Sequence, residues 1–371
     1  MAKQPTIRIF LSIDLQFQWP IKQLDISTAF LHGILQEEVY MLQPLGFVQS
    51  STHGFTNSLS DTSLFIRKTS TSLIILLVDV NDILLTSNDS TLIAQLLQQM
   101  HKVFSKKELG SLSYFLGISV HSHKHGYFLS QAKYAAALLH KPPLYRSLVG
   151  GLQYLTITRP DLSYVVNQAC QFMHLSTNAH FQAVKRLLRY VKGTLSHGLS
   201  FTPSPFDLSA FLDSNWASDS FDKKSTSGYY VYLGSNLISW SAKKQATVSW
   251  SSSEADLSAM ALASNLVFHS RSKHIEIDCH CIREKVVAKQ IELKYIPTID
   301  QVIDIFTKPF CLSRFHYLRD KLLVLPCPIN LREAEEVISS SPSHSTQLSS
   351  SSSSSHSKPE LLPLFVITSA S

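Results

Sequence analysis

Two aspartates set against apolar runs are the residues of this chain best suited to chemistry. Asp25 sits in QLDISTAFLHG and Asp82 in LLVDVNDILLTS. Phosphoryl transfer runs on paired divalent cations, and magnesium prefers hard oxygen ligands, so carboxylates on adjacent strands are the side chains such a site needs. Asp25 follows a strand-like run and Asp82 falls in a hairpin turn, which suits both to that purpose. A plainer reading stays open at the same place: Asn81-Asp82 makes a tight turn and needs no metal.

Three further acids lie beyond residue 200: Asp213 closing LSAFLD, Glu254 after Ser251-Ser252-Ser253, and Asp304 in IPTIDQVIDIFTKPF. Taken singly, each is the solvated surface acid most proteins carry. The stretch HFQAVKRLLRYVKGTL (180–195) reads as a helix with Val184, Leu187, Leu188 and Val191 on one side. Lys185, Arg186, Arg189 and Lys192 spread over the remainder, and Gly193 is a natural C-terminal stop. Such a helix can grip a nucleic acid backbone or present an ordinary solvated face. Five cysteines, none in a CxxC pair, suit a reducing compartment. Cys279 and Cys281 lie near His274, Asp278 and His280, but their spacing matches no usual zinc pattern.

The elements that must position these residues can be read from periodicity. LIILLV (73–78) and ILLT (83–86) flank the Asn-Asp turn as a hairpin. Leu92 to Phe104 has helical spacing, with Leu92, Leu96, Leu97 and Met100 on one face. YFLGISV (114–120) and GYFLS (126–130) read as a second hairpin, followed by a helix from Gln131 to His140. Residues 145–200 are mostly helical. LSAFLD, GYYVYLG, LISWS and ATVSW then alternate as strands do, and a helix follows from Glu254, opened by the capping serines. After a helix near Ile275–Val287 come a strand IELKYI (291–296) and a final helix begun by Thr298 or Asp300. Strands and helices mixed in this order imply α/β layering. From Ser339 the serine-rich chain cannot bury enough apolar surface to order itself. The closing LLPLFVITSAS is apolar but too short to be a domain.

A chain of 371 residues has room for two or three domains, and 44% hydrophobic content places it in the globular class. The net charge of +6 modestly favours polyanionic partners. No signal-peptide layout opens the chain, and Leu73 to Val78 is too short to span a bilayer, so a soluble, intracellular, cytoplasmic or nuclear protein with no membrane partner is expected.

TIRIFLSIDLQFQWPIKQLDISTAFLHGILQEEVYMLQPLGF, LIILLVDVNDILLTSND, KKELGSLSYFLGISVHSHKHGYFLSQAKYAAALLHK and YRSLVGGLQYLTITRPDLSYVVNQACQFMH occur in that order. Together they resemble the reverse transcriptase of copia-type LTR-retrotransposon Pol polyproteins. FLDSNWASD, TSGYYVYLGSNLISWSAKKQATVSWSSSEADLSAMA and IPTIDQVIDIFTKPF resemble the RNase H region that follows it. The resemblance implies an α+β chain: a partial reverse-transcriptase palm over 1–143 and a helical connection over 144–205. An incomplete RNase-H-like α/β domain over 206–325 and a disordered tail over 326–371 would follow. It implies an RNA-directed DNA polymerase with Asp25, Asn81 and Asp82 at the catalytic position, and RNA hydrolysis at Asp213, Glu254 and Asp304. Asp25, Asp82, Asp213, Glu254 and Asp304 would be the metal ligands, Mg2+ the cofactor, and template-primer and RNA–DNA hybrid the partners.

Several departures point to a degenerate copy, leaving a non-catalytic nucleic-acid-binding remnant or a functionless pseudogene product as alternatives. The family's Tyr-Val-Asp-Asp is replaced by Asp79-Val80-Asn81-Asp82, which removes a carboxylate. Asp79 lies two residues along the strand, about 6.5 Å from the turn position, and is expected to be displaced from the metals. The family's fingers are expected before residue 3, and stretches of the family are skipped near 48–60, 140–143 and 263–266. The last of these would remove a fourth ligand and an interior strand of the RNase-H-like sheet.

Overall fold

The computed structural model describes residues 2–26, 54–103, 106–110, 112–141, 144–219, 222–249, 291–295, 300–328 and 364–368. Glu254 and the group His274, Asp278, Cys279, His280 and Cys281 lie outside the described residues. The chain divides into two compact units, 1–120 with 202–205, and 121–201 with 206–371.

The first unit contains α1 (Gln4–Phe17), β1 (Lys22–Ile26), β2 (Thr56–Asn57), β3 (Leu64–Lys68), β4 (Leu73–Asp79), β5 (Asp82–Ser87), α2 (Ser90–Val103) and β6 (Lys106–Gly110). Its strands form an antiparallel sheet in the order β2-β3-β4-β5-β1-β6. Leu24, Ile74, Ile83 and Leu85 are buried with Ile93 and Leu97 of α2. The alternate residues Ile75, Leu77 and Leu84 are buried as well. Burial on both faces explains why LIILLV is a continuous apolar run, each such side chain contributing about 1.5–3 kcal/mol. The start of α1 is tied down from a distance: Asp61 Oδ2 accepts from Lys3 N (2.9 Å) and Thr6 Oγ1 (2.6 Å). The run YFLGISV does not continue as one strand. Leu116 (φ 45°) and Gly117 (φ 81°) make a turn that divides it into β7 (Tyr114–Phe115) and β8 (Ile118–His123).

The boundary between the units falls inside β8. Beyond it come β9 (Gly126–Ser130), α3 (Ala132–Leu139), α4 (Tyr145–Leu155), α5 (Ser163–Cys170), α6 (Asn178–Gly193) and β10 (His197–Phe201). Leu138, Leu148, Val149, Leu152, Leu162, Val166, Val184 and Val191 make one core between the helices. A Cβ on Gly151 would lie 2.4 Å from Leu138 Cδ1, so any other residue there would force the Leu138 side chain to shift. Beneath α6, Arg159 binds Asp161 through two nitrogens at 3.0 and 2.8 Å. Tyr190 donates to the same carboxylate at 2.8 Å.

The remaining elements are β11 (Leu208–Asn215), β12 (Thr226–Leu233), β13 (Asn236–Lys244), β14 (Ile291–Tyr295), a 3-10 turn (Val302–Phe306), α7 (Leu312–Lys321), β15 (Val324–Pro326) and β16 (Leu364–Thr368). They correct three expectations. ATVSW is not a strand over its described part. Gln245 turns the chain back by bonding Ser225 O (2.9 Å) and Ser227 Oγ (2.6 Å) and accepting from Ser249 Oγ (2.7 Å). Asp304 lies not in a long final helix but in the 3-10 turn, because Pro309 disfavours helical backbone at Lys308. The tail is not wholly without structure. LFVIT forms β16, which runs parallel between β11 and β14 in the sheet β13-β12-β11-β16-β14. A short β-branched and aromatic run is what a strand flanked on both edges favours. Among the described residues β14 pairs only through β16, so the place expected to lack an interior strand is occupied.

Candidate active-site carboxylates

Strands β4 and β5 are joined by the two-residue turn Val80-Asn81, with Val80 at φ 56°. A β-branched residue rarely adopts that backbone, so the turn holds some strain. The register makes Asp79 the partner of Asp82 across the turn, and Asp25 the partner of Asp82 across β1 and β5. Directly opposed residues of antiparallel strands share a face, so the three carboxylates form a row with Asp82 in the middle. Burial, then the charges of Asp25 and Asp79, hold the Asp82 carboxyl above its usual pKa. Asp79 is buried, and its Oδ1 accepts from Ala2 N at 2.9 Å. The Asn81 amide oxygen is buried with no hydrogen-bond partner.

At strand spacings near 4.8 Å the outer two acids of this row stand roughly 10 Å apart, too far to share one ion. Accordingly, no group of three or more His, Cys, Asp or Glu among the described residues is arranged to hold a metal. The pair Asp25 and Asp82, with the unpartnered Asn81 oxygen at the adjoining turn, is a set of hard oxygen donors. That set fits a cation such as Mg2+ chemically.

In the second unit β11 carries Asp213, whose partner on β12 is Gly228. A Cβ on Gly228 would lie 2.8 Å from Phe306 Cβ, so the glycine lets the 3-10 turn rest against the sheet. That approach brings Asp304 beside Asp213. Lys308 Nζ lies 2.8 Å from Asp304 Oδ1 and 3.6 Å from Asp213 Oδ2. Thr307 Oγ1 donates to Asp213 Oδ2 at 2.6 Å. Burial holds the Asp304 carboxyl above its usual pKa despite Lys308, and the nearby Asp213 charge adds to the effect.

Lys308 and Thr307 were not among the residues singled out in the sequence. The signal was present, since Asp304 and Lys308 stand four residues apart, a spacing at which opposite charges meet.

On α6, Lys185, Arg186, Arg189 and Lys192 are all exposed, and none pairs with a carboxylate among the described residues. Lys185 Nζ lies 4.8 Å from the Phe181 ring centroid. The helix starts on Thr177, whose Oγ1 accepts from His180 N while His180 Nδ1 accepts from Thr177 N.

Comparison with known proteins shows the family. The family described as "Reverse transcriptase (RNA-dependent DNA polymerase)" matches residues 1–54 and 48–147. The retrovirus-related Pol polyprotein from transposon RE2 of Arabidopsis thaliana is 36% identical over 424 residues, covering 88% of this chain and 29% of that protein. The chain belongs to the copia-type retrotransposon reverse-transcriptase family. The corresponding polyprotein from transposon TNT 1-94 of Nicotiana tabacum is 28% identical over 424 residues, 86% of this chain and 32% of that one. An uncharacterized mitochondrial protein of Arabidopsis thaliana is 45% identical over 228 residues, 53% of this chain and 95% of its own.

This family member therefore spans under a third of the Pol polyproteins it matches. The 424 aligned positions exceed what 88% of 371 residues supplies, so those relatives carry sequence that this chain lacks. Among solved structures, a Prototype Foamy Virus Protease-Reverse Transcriptase overlaps at a TM-score of 0.17 and 11% identity, covering 85% of this chain and 43% of that one. That overlap carries no weight for the fold. Among the described residues no helix is long and apolar enough to cross a membrane.

Proposed function

We propose that this chain is a retrotransposon-derived RNA-directed DNA polymerase and RNase H region whose polymerase site is catalytically defective. One observation carries the reading. Asp25 and Asp82 oppose each other in register, while the turn position beside Asp82, where the family places a carboxylate, holds the neutral amide of Asn81. Two dications beside one another need concentrated negative charge, and the substitution removes one unit of it. Asp79 lies in the same row but on the far side of Asp82 from Asp25. Mg2+ bound to Asp25 and Asp82 would activate a 3′-hydroxyl and steady the leaving oxygen. Asn81 contributes at most a neutral oxygen.

By the same reading 1–143 is the palm remnant and 144–205 the connection, with 206–325 an RNase-H-like domain. Asp213, Glu254 and Asp304 are its acids, and the α6 cations track a template-primer or RNA–DNA hybrid backbone. The extra sequence in the aligned relatives supports a copy with internal losses.

Primer extension on a primed RNA template with Mg2+ or Mn2+ tests the proposal. No incorporation is expected, alongside salt-sensitive binding of the template. Incorporation that Asp25→Ala abolishes would overturn the defect. Template binding indifferent to salt would remove the α6 cations from the reading.

A further inference from the structure

The Asp213–Asp304 pair is buried, yet the lysine that neutralises it is partly exposed. The two side chains are 7% and 6% exposed, whereas that of Lys308 is 36% exposed. Buried charges persist only when paired, and one ammonium here serves two carboxylates. The Arg159–Asp161 pair offers the contrast. Its side chains are 3% and 0% exposed and joined through two nitrogens, so neither charge can leave.

Lys308 has no such constraint: its head is a compact, strongly hydrated charge on a flexible stem that already reaches solvent. Its departure would leave two adjacent buried carboxylates with Arg314 as the other cation acting on Asp304, so it swings to water only when another cation takes its place. Thr307 Oγ1 also holds the Asp213 oxygen, so Lys308 is not the sole tie between that carboxylate and the segment carrying Asp304.

We infer that Lys308 is a built-in, displaceable cation that occupies the Asp213–Asp304 pair and competes there with a divalent metal ion. The inference rests on the proposed metal-binding role of these two acids and adds a residue that regulates it. Without metal the lysine keeps the sheet and the 3-10 turn together, and a divalent ion must expel it to bind. Lys308 is a positioning residue on this view, since it touches the ligands and not the reacting atoms.

Mn2+ binding to the full-length chain, followed by water-proton relaxation and by thermal unfolding, separates the possibilities. Lys308→Met should bind Mn2+ about tenfold more tightly than the wild type, because a positive charge has left the site. Its unfolding temperature should fall without metal and recover as Mn2+ is added. Lys308→Gln should behave likewise, and Lys308→Arg should keep the wild-type affinity. Asp213→Asn combined with Lys308→Met should abolish the gain, which assigns it to this pair rather than to Asp25 and Asp82. If wild type and Lys308→Met bind equally and Asp213→Asn removes that binding, the acids hold metal but the lysine does not compete. If no binding depends on Asp213 in either protein, the metal reading of this pair falls with it. Destabilisation of Lys308→Met that Mn2+ leaves unchanged makes Lys308 an ordinary ion-pair partner.

Discussion

In the first unit Asp82 stands between two like charges, Asp25 and Asp79, while the other register partner of Asp25 is Lys107 of β6. In the second, Asp213 and Asp304 share the ammonium of Lys308 and the hydroxyl of Thr307. Like charges directly opposed across strands are destabilising, so an ionised Asp82 between two acids works against its own fold. The second meets its two acids with a cation of its own. The supports differ in the opposite sense. Two of the three acids around Asp82 stand on β4 and β5, joined by a two-residue turn, whereas Asp213 stands on a strand flanked by the far C-terminal β16. Electrostatic strain and structural fragility are thus placed in different units.

The largest test removes that support. Deleting residues 364–368 unpairs five register positions of β11 and five of β14. At about 1 kcal/mol net per ladder hydrogen bond, the loss is several kcal/mol against a typical total of about 5–15. Hydrogen exchange should show amide protection lost in β11 and β14 while β4 and β5 keep theirs. Retained protection in β11 would mean β16 contributes little, and the contrast in support would collapse.

A smaller effect is expected from Gly228→Ala. Replacing glycine inside a strand ordinarily helps by about 0.5–1 kcal/mol. Here the new Cβ meets Phe306 and Thr307 at 2.8 and 3.1 Å, so the sign should reverse, with overpacking costing about 1–3 kcal/mol. The 3-10 turn would be pushed off the sheet, carrying Asp304 and Lys308 away from Asp213. Urea midpoints of wild type and variant measure the cost, and a stabilised variant would show that the turn does not depend on the missing side chain.

How much of this was legible beforehand depended on distance along the chain. Asp82 at a turn between two apolar runs and Asp25 after a strand-like run are local signals, and the family resemblance gave both their expected role. The place of Asp79 was not legible, since counting along the strand sets it apart from the turn, while pairing across the turn sets it opposite Asp82. The same limit hid Thr307, which bonds a residue 94 positions away, and β16, whose partners β11 and β14 are remote in sequence. ATVSW alternates as a strand would, but periodicity cannot register that Gln245 spends its hydrogen bonds turning the chain back. Glycine 228 carried no signal either. Its role is fixed by the turn that rests on it.

The smallest expected effect probes charge at Asp82 directly. Its carboxyl is held above the ordinary value of 3.8 by burial and by Asp25 and Asp79. The folded chain therefore keeps this proton to higher pH than the unfolded chain does. The resulting stabilisation is fully present below the ordinary carboxylate pKa and is lost as pH rises through the raised folded value. At neutral pH the ionised Asp82 works against folding, so Asp82→Asn should stabilise the protein. Solvent screening of a partly exposed group limits the gain to about 0.5 kcal/mol. The difference between variant and wild type should vanish in acid and open as pH rises. Asp25→Asn should bring the Asp82 pKa down towards its ordinary value, which a carboxyl NMR titration would follow. A gain from Asp82→Asn that is the same in acid and at neutral pH would point to packing rather than charge. The row of acids in the first unit would then be no more strained than the lysine-matched pair in the second.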